Sequence, residues 1–423
     1  MRSVEHTNIF AVLKYRNFRI LWTGYLVSNL GDAIHIIAQG WLVTQLTGSP
    51  LALGTVMIFS TLPSLLFIPI GGTYADRFDR RKILILSNSL CFLALGWFAF
   101  LVHVKAVQVW HIYLLVTFLG IIRKAFSHSA ESAFLPTLVP REAIQKAVSL
   151  NSATSNSISI IGMAVGGVLV STLGFTKVFF INGLSFLAPV AAVSFIYLSS
   201  SVSKSSDVSK SEKRKRSAML KEVKEGVAYL YLNRDIFLIT LLFVLVNFVG
   251  QPTITLAPLF ARDILKTGAT GLGLLMASWS AGLGIGSVIP GLIRELRKPI
   301  RAFLAISAGI GLLTYLYSLS SLLLLSSAIL FSIGIGVSFL VVVQTTVISK
   351  TPEFIRGRIF SINMFLHTAT LPLSNGLMGL LANEYGVKTP IGLGGVIILL
   401  TSVASLLVRS KLAAASGEKS GDK

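Results

Sequence analysis

The sequence predicts an all-α polytopic membrane protein: twelve transmembrane helices in two six-helix halves, with both termini cytoplasmic. Three observations carry this. Of 423 residues only 13% are charged and 53% are hydrophobic, against roughly 25% charged in a soluble domain. Apolar runs of about 20 residues, each long enough to cross a bilayer as a helix, recur along the whole chain. Basic residues gather in alternate loops between those runs.

Lipid offers the backbone no hydrogen-bond partners, so a spanning segment must be a helix or part of a closed barrel. These runs are too long for barrel strands and do not alternate. Expected limits in the first half are 18–46, 51–75, 83–103, 110–135, 143–172 and 176–198. In the second half they are 236–261, 270–293, 300–318, 321–349, 359–383 and 388–409. The N-terminus lacks the charged, apolar and small-residue pattern of a cleaved signal, so the first span is expected to stay in the membrane.

Charge sets the orientation. The formal net charge is +20, but its placement argues for topology rather than for nucleic acid. Arg77, Arg80, Arg81 and Lys82 follow span 2, and Arg141 and Lys146 follow span 4. Arg294, Arg297, Lys298 and Arg301 follow span 8, and Lys350, Arg356 and Arg358 follow span 10. The opposite loops carry single lysines only: Lys105, Lys177, Lys266 and Lys388. Basic loops mark the cytoplasmic side. Cys91 is the only cysteine, which excludes an intrachain disulfide and a thiolate metal cluster.

Four segments follow: a first half over 1–198, a linker over 199–235, a second half over 236–409 and a disordered tail over 410–423. Residues 199–216, "SSSVSKSSDVSKSEKRKR", are polar and Ser-rich, as in a solvated tether. Met219, Leu220, Val223, Val227 and Leu230 then recur at helical spacing among charges, predicting an interfacial amphipathic helix. The halves echo each other. "PREAIQKAVSLN" (Pro140–Asn151) and "PEFIRGRIFSIN" (Pro352–Asn363) align without a gap at Pro, a basic residue, Ser and Asn. "GGTYADRFDRRK" (71–82) has a weaker echo in "PGLIRELRKPIR" (290–301). Such duplication suits a transporter that rocks about a midplane site.

The stretch "GGTYADRFDRRK" resembles the loop between spans 2 and 3 of the major facilitator superfamily, with Gly72, Asp76, Arg77, Arg80, Arg81 and Lys82 filling the pattern. "RNFRILWTGYLVSNLGDAI", "WLVTQLTGSPLALG", "FLPTLVPREAIQKAVSLNSA" and "GRIFSINMFL" resemble its enterobactin-exporter and macrolide-efflux branch, the transmembrane secretion effectors. The resemblance spans 14–409. It implies that Asp76 latches span 11 near Arg356–Arg358 when the transporter faces outward, and that spans 1, 4, 7 and 10 line a central cavity. The residues alone leave two uses for Asp76, an Arg partner or a helix N-terminus, and let Gly71 and Gly72 bring helices close.

Polar residues inside spans are costly in lipid and point to function. Span 1 carries Asn29, Asp32, His35 and Gln39 on one helical face. Span 4 carries Arg123, Ser127 and Glu131, with Lys124 and His128 beside them. Span 7 carries Asn247, Gln251 and Thr255, span 10 carries Gln344, and span 11 carries Asn363, His367, Thr370 and Ser374. A buried carboxylate must be paired or protonated, so Asp32 is expected beside Arg123, with His35 and Glu131 joining in proton coupling. Glu131 has Arg77 or Arg80 as a further expected partner. Asn29, Gln39, Asn247, Gln251, Gln344 and His367 are the expected substrate-cavity residues. Small-residue runs in spans 5, 8 and 10 ("GMAVGGVLV", "GLGIGSVIPG", "GIGVSF") predict close, sliding helix contacts.

No preceding strand supports a nucleotide-binding reading of these glycines, and no catalytic or metal-ligand constellation is present. The expected function is secondary active efflux of an amphipathic or hydrophobic small molecule, a drug or siderophore. It would need no cofactor beyond a proton gradient, and would run as a monomer in the cell membrane by alternating access. An uptake permease or lipid flippase on the same fold is the alternative, and a non-transporting receptor or scaffold the more distant one.

Overall fold

The computed structural model describes residues 9–196, 225–292 and 298–415, and no strand occurs among them. The helices are α1 (Arg16–Thr47), α2 (Pro50–Arg77), α3 (Arg80–His103), α4 (Val109–Leu138), α5 (Ile144–Ser185) and α6 (Leu187–Ser194). After the undescribed 197–224 come α7 (Arg234–Ile264), α8 (Ala269–Leu292), α9 (Pro299–Leu319), α10 (Leu323–Ser349), α11 (Glu353–Tyr385) and α12 (Lys388–Ala415). The expected tether and the start of the amphipathic helix lie outside the described residues; its end, 225–232, is helical. Helix α12 runs to Ala415, past the expected start of a disordered tail. Residues 293–297 of the span-8 echo of the basic loop also lie outside the described residues.

Nine helices among the described residues are long and apolar enough to cross a membrane. The twelve expected crossings exceed that for physical reasons. Helices α1 and α11 carry the polar stripes, which dilute their apolarity. Arg141–Ser194 counts once, although Gly174 interrupts it with φ 77° and ψ 170°, a left-handed conformation that glycine adopts without strain.

Local chemistry sets the other boundaries. Gly48 (φ 59°) ends α1, its N–H returning to the Thr44 carbonyl. Ser49 caps α2, with Pro50 in its first turn. Asp79, the second acid of the charged loop, caps α3 by accepting the Arg81 N–H at 2.9 Å. Residues Gly120–Ser127 of α4 form a π-helix. Pro252 and Pro258 break α7 after Gly250, each removing a backbone donor, so the expected single span is a jointed one.

The helices pack as two groups. In the first, α1 lies along α5; in the second, α8 lies along α10 and α9 along α12. Between the groups, α5 packs on α8 and α2 on α11. Lipid is as apolar as leucine, so these contacts rest on close approach at small residues. Gly162 and Gly166 face α1 while Gly167 faces Gly273 of α8. Gly282 and Gly334 face each other between α8 and α10.

Among the described residues, the two groups meet at the end away from the basic loops and toward the middle of α5 and α8. Gly54 lies against the Asn375 carbonyl and Gly379, and Ile58 against Gly376. Ser171 Oγ is 3.1 Å from Thr270 Oγ1, and Ser280 Oγ donates to Met163 Sδ at 3.1 Å. Arg262 Nη1 donates to the Thr44 carbonyl at 2.6 Å while its Nε holds Asp263 at 2.6 Å. Toward the basic loops the same stripes part. On α2, Leu62 and Asp76 are exposed; on α5, Ala153 and Asn156; on α8, Val288. A cleft therefore opens at the basic end and closes at the far end.

Candidate functional site

The first group supplies a charged wall. Asp32 Oδ2 accepts from Arg123 Nε at 3.2 Å and lies 3.1 Å from its Nη2. Arg123 Nη2 also donates to Asn29 Oδ1 at 3.1 Å, and Asn29 Nδ2 donates to Ser155 Oγ at 3.3 Å. The guanidinium sits over the rings of Tyr25 (5.6 Å) and Phe186 (5.4 Å), adding cation–π attraction. The Asp32 side chain keeps 35% of its surface exposed. The π-helix carries Arg123 and Lys124 together; Lys124 Nζ reaches the carbonyl (3.2 Å) and Oγ (3.1 Å) of Ser60 on α2. Such turns recur at functional sites.

Glu131, one level toward the basic end, is buried. Asn151 of α5, Arg123 and His128 of α4 and Asp32 of α1 are within its electrostatic reach. The expected partnership with Arg80 is not formed. Arg80 Nη1 donates to the Ala133 carbonyl (2.8 Å) and its Nε to the Ala75 carbonyl (3.2 Å), tying α2 to α4.

His35 packs on the α5 side of α1. It shares the stripe of Asp32, but a stripe this wide wraps toward α5. The imidazole packs edge-on against Phe179 at 5.3 Å, with Nε2 2.9 Å from Gln39 Oε1. Gln39 is half-buried beside it.

The second group supplies a neutral wall. Asn247 Nδ2 donates to its own helix at the Phe243 carbonyl (2.8 Å), and Gln251 is half-buried at the α7 joint. Gln344 Nε2 donates to Asn363 Oδ1 at 2.8 Å. Gln344, Asn363 and His367 line a cavity of about 190 Å³ with Phe243, Phe360 and Met364. Sequence reasoning missed Asn375, which accepts from Thr255 Oγ1 at 2.5 Å. It also missed the Arg262 clamp, whose partner is a backbone carbonyl and leaves no sequence signal.

The charged loop divides its work. Arg80 and Asp79 act within the first group, and Arg81 Nη2 donates to the Ser194 carbonyl at the end of α6 at 2.6 Å, where a cation suits the helix dipole. Gly71 is the close-contact glycine: a Cβ there would strike the Ala125 backbone. Gly72, expected to share that role, has open space around it. Arg77 and Asp76 are exposed. Arg356 bonds the Thr351 carbonyl at 3.0 Å and Arg358 pairs with Glu225, so the Asp76–α11 latch is not formed in this conformation.

Comparison with known proteins gives this arrangement its place. The chain is 26% identical over 406 residues to macrolide efflux protein A of Streptococcus pyogenes, covering 93% of this chain and 97% of that one. It is 25% identical over 397 residues to the multidrug efflux pump Tap of Mycolicibacterium fortuitum, covering 91% and 94%. Among solved structures, an inward-facing bacterial homologue of the iron transporter ferroportin superposes with TM-score 0.70 at 16% identity, over 92% of this chain and 98% of that one. An inward-facing bacterial homologue of the lysosomal transporter Spinster gives 0.67 at 13% identity, over 92% and 95%. The profile of the transmembrane secretion effectors matches residues 7–422. The protein therefore belongs to the transmembrane secretion effector family of the major facilitator superfamily, a multi-pass cell-membrane transporter rather than an enzyme.

Proposed function

We propose that this transporter is a secondary active exporter, exchanging protons for a hydrophobic or amphipathic small molecule by alternating access. Residues 1–198 and 236–409 act as six-helix halves joined by 199–235, making twelve crossings with both termini cytoplasmic. The basic end is then the cytoplasmic end, and the cleft faces inward. The drug-efflux functions of the Streptococcus and Mycolicibacterium relatives support export.

The observation that carries the reading is the Asp32–Arg123 pair on the wall of a cleft closed at one end only. Arg123 stands within electrostatic reach of two carboxylates, Asp32 and Glu131. While it pairs with Asp32, the buried Glu131 holds the proton, because an ionised carboxylate is penalised there. When substrate binding turns Arg123 toward Glu131, the Glu131 proton leaves to water at the basic end; once the substrate has left at the far end, Arg123 returns to Asp32 and Glu131 takes a proton from the water there. One cation shared between two acids thus links a proton to the state of the cleft. In proteoliposomes with an imposed pH gradient, Asp32→Asn is expected to abolish uphill efflux and leave downhill exchange. Uphill transport at the parental rate by a well-folded Asp32→Asn protein would refute the scheme.

A further inference from the structure

Each half opens with a short helical lead-in that docks on the fifth helix of that half. Ahead of α1, the 3-10 helix Ile9–Lys14 buries Val12 in one cluster with Phe18 and with Ala143, Ala147 and Leu150 around the start of α5. Ahead of α7, the helical segment 225–232 buries Leu230 in one cluster with Ile236 and with Ile355 and Ile359 of α11, and Ile362 packs alongside. The two are one arrangement repeated. In the gap-free register of Pro140 on Pro352, Ala143, Ala147 and Leu150 fall on Ile355, Ile359 and Ile362. Val12 precedes Phe18, and Leu230 precedes Ile236, by the same six residues. The register also sets Lys146 on Arg358.

At that repeated cation the halves differ. In the second half the lead-in supplies an acid: Glu225 pairs with Arg358, and a Cβ on Gly226 would meet the Arg358 Cβ at 3.3 Å. In the first half the described part of the lead-in supplies a second cation. Lys14 and Lys146 line one cavity of about 190 Å³, together with Ala11, Tyr15 and Glu142. Among the described residues neither lysine side chain makes a hydrogen bond or ion pair, and neither does that of Glu142. The Lys14 ammonium lies 5.2 Å from the centre of the Tyr15 ring. Two cations against one acid leave the lining net positive. Ile9 and Phe10 beside it are 40% and 65% exposed, and the lead-in runs directly into α1. The cavity therefore stands at the edge of the membrane, at the basic end, where exposed apolar side chains lie in lipid.

We propose that this cavity binds the phosphate of an anionic phospholipid of the phosphatidylglycerol class, which takes at Lys146 the place that Glu225 takes at Arg358. The phosphodiester oxygens accept from Lys14 and Lys146 and offset their mutual repulsion. The headgroup hydroxyls donate to Glu142, which a phosphate alone would leave without a partner. Ile9 and Phe10 lie against the acyl chains. Inorganic phosphate shares the anion chemistry but brings neither the hydroxyls nor the chains. A basic pocket at the membrane face is how anionic headgroups are held. The bound lipid ties the first lead-in to α5 as the Glu225–Arg358 pair ties the second to α11.

The test is lipid binding to the full-length protein in detergent micelles, with lipid adducts counted by native mass spectrometry and melting temperatures read in parallel. The probes are dioleoyl phosphatidylglycerol, the zwitterionic phosphatidylcholine and phosphatidylethanolamine, and inorganic phosphate. A lysine at a membrane surface contributes about fivefold in affinity for an anionic lipid, so the parent should bind phosphatidylglycerol about twentyfold more tightly than either zwitterion. Lys14→Gln and Lys146→Gln should each raise its Kd about fivefold, and the double variant should bind the three lipids alike. Arg301→Gln, which removes an exposed cation at the basic end of the other group, should keep the parental preference. Ala11→Glu puts a carboxylate on the cavity wall, in the manner of Glu225. It should abolish the preference and raise the melting temperature in lipid-free micelles, a gain that misfolding cannot imitate. Inorganic phosphate at the same concentration as the lipid should leave the phosphatidylglycerol Kd unchanged. Equal binding of the three lipids by the parent, a parental preference in the double variant or in Ala11→Glu, or a lost preference in Arg301→Gln would each overturn the site. Displacement of the lipid by inorganic phosphate would overturn the lipid as its occupant.

Discussion

Individual side chains show what periodicity can and cannot reveal. The 3.6-residue repeat put Asn29, Asp32, His35 and Gln39 on one stripe, and the structure puts Asp32 and Asn29 on Arg123 but turns His35 into Phe179. A stripe fixes a face to within about a third of a turn, not which neighbour each residue meets. Asn375 and Arg262 were invisible for a different reason. Their partners are the Thr255 hydroxyl and the Thr44 carbonyl, 120 and 218 residues away. The Asp32–Arg123 pair yields a quantitative expectation. Removing one partner of a fully buried pair costs about 3–5 kcal/mol; with the carboxylate 35% exposed, about 1–3 kcal/mol is expected for Asp32→Asn or Arg123→Gln. The double variant strands no charge and should recover part of the loss. Thermal unfolding of the three variants in detergent checks this, and purely additive losses would mean that the pair does not couple.

Whole helices were easier to anticipate than their interruptions. Among the described residues apolar length marks nine long helices, because length and the need for internal hydrogen bonding are properties of the segment alone. The π-turn of α4 and the joint of α7 depend on how neighbours pack, and only Pro252 and Pro258 announced the latter. Gly71 and the glycines of α5, α8 and α10 are contact points as the sequence suggested and Gly72 is not, and the partners needed the structure. Gly167 is the most exacting of them. A Cβ there would stand 2.9 Å from Gly273 Cα and closer still to the Ala269 carbonyl, and backbone yields little. Gly167→Leu should therefore disfavour closure at the far end by about 1–3 kcal/mol, the usual cost of overpacking. Its own group should be spared, since Gly167 faces only α8. Ser171 and Thr270 touch across this seam, and Cys91 is buried, so Ser171→Cys gives a clean reporter. Labelling of that thiol by an impermeant maleimide should be about tenfold faster or more in the Gly167→Leu background. Equal rates would show that the seam tolerates the added volume.

At the scale of the molecule, the cleft sets an asymmetry that the proposed alternating access would reverse by closing the basic end. The far end is held by backbone-close glycines and by Arg262 bonded across the groups. The basic end offers the corresponding parts unassembled. Gly72 on α2 and Gly357 near the start of α11 each have open space where a Cβ would go. They continue the stripes that meet at Gly54 and Gly379. Asp76 lies one turn beyond Gly72, exposed, and makes no hydrogen bond or ion pair among the described residues. Swinging α2 onto α11 would carry it to the first turn of α11, where unpaired backbone N–H groups and Arg356 favour an anion. An anion so placed contributes about 0.3–2 kcal/mol, enough to shift a balanced two-state equilibrium between roughly twofold and thirtyfold. The contact would exist only in the closed arrangement, so Asp76→Asn should leave the fold and the geometry open at the basic end unaltered. It should lower the fraction closed at the basic end. Spin labels at the exposed positions Thr73 and Ser361 report that fraction directly, as the weight of the short-distance peak. The peak should shrink in Asp76→Asn and return in Asp76→Glu, whose carboxylate can still reach the helix end. A distance distribution identical in parent and Asp76→Asn would mean that the charged loop acts only within its own group, through Asp79, Arg80 and Arg81.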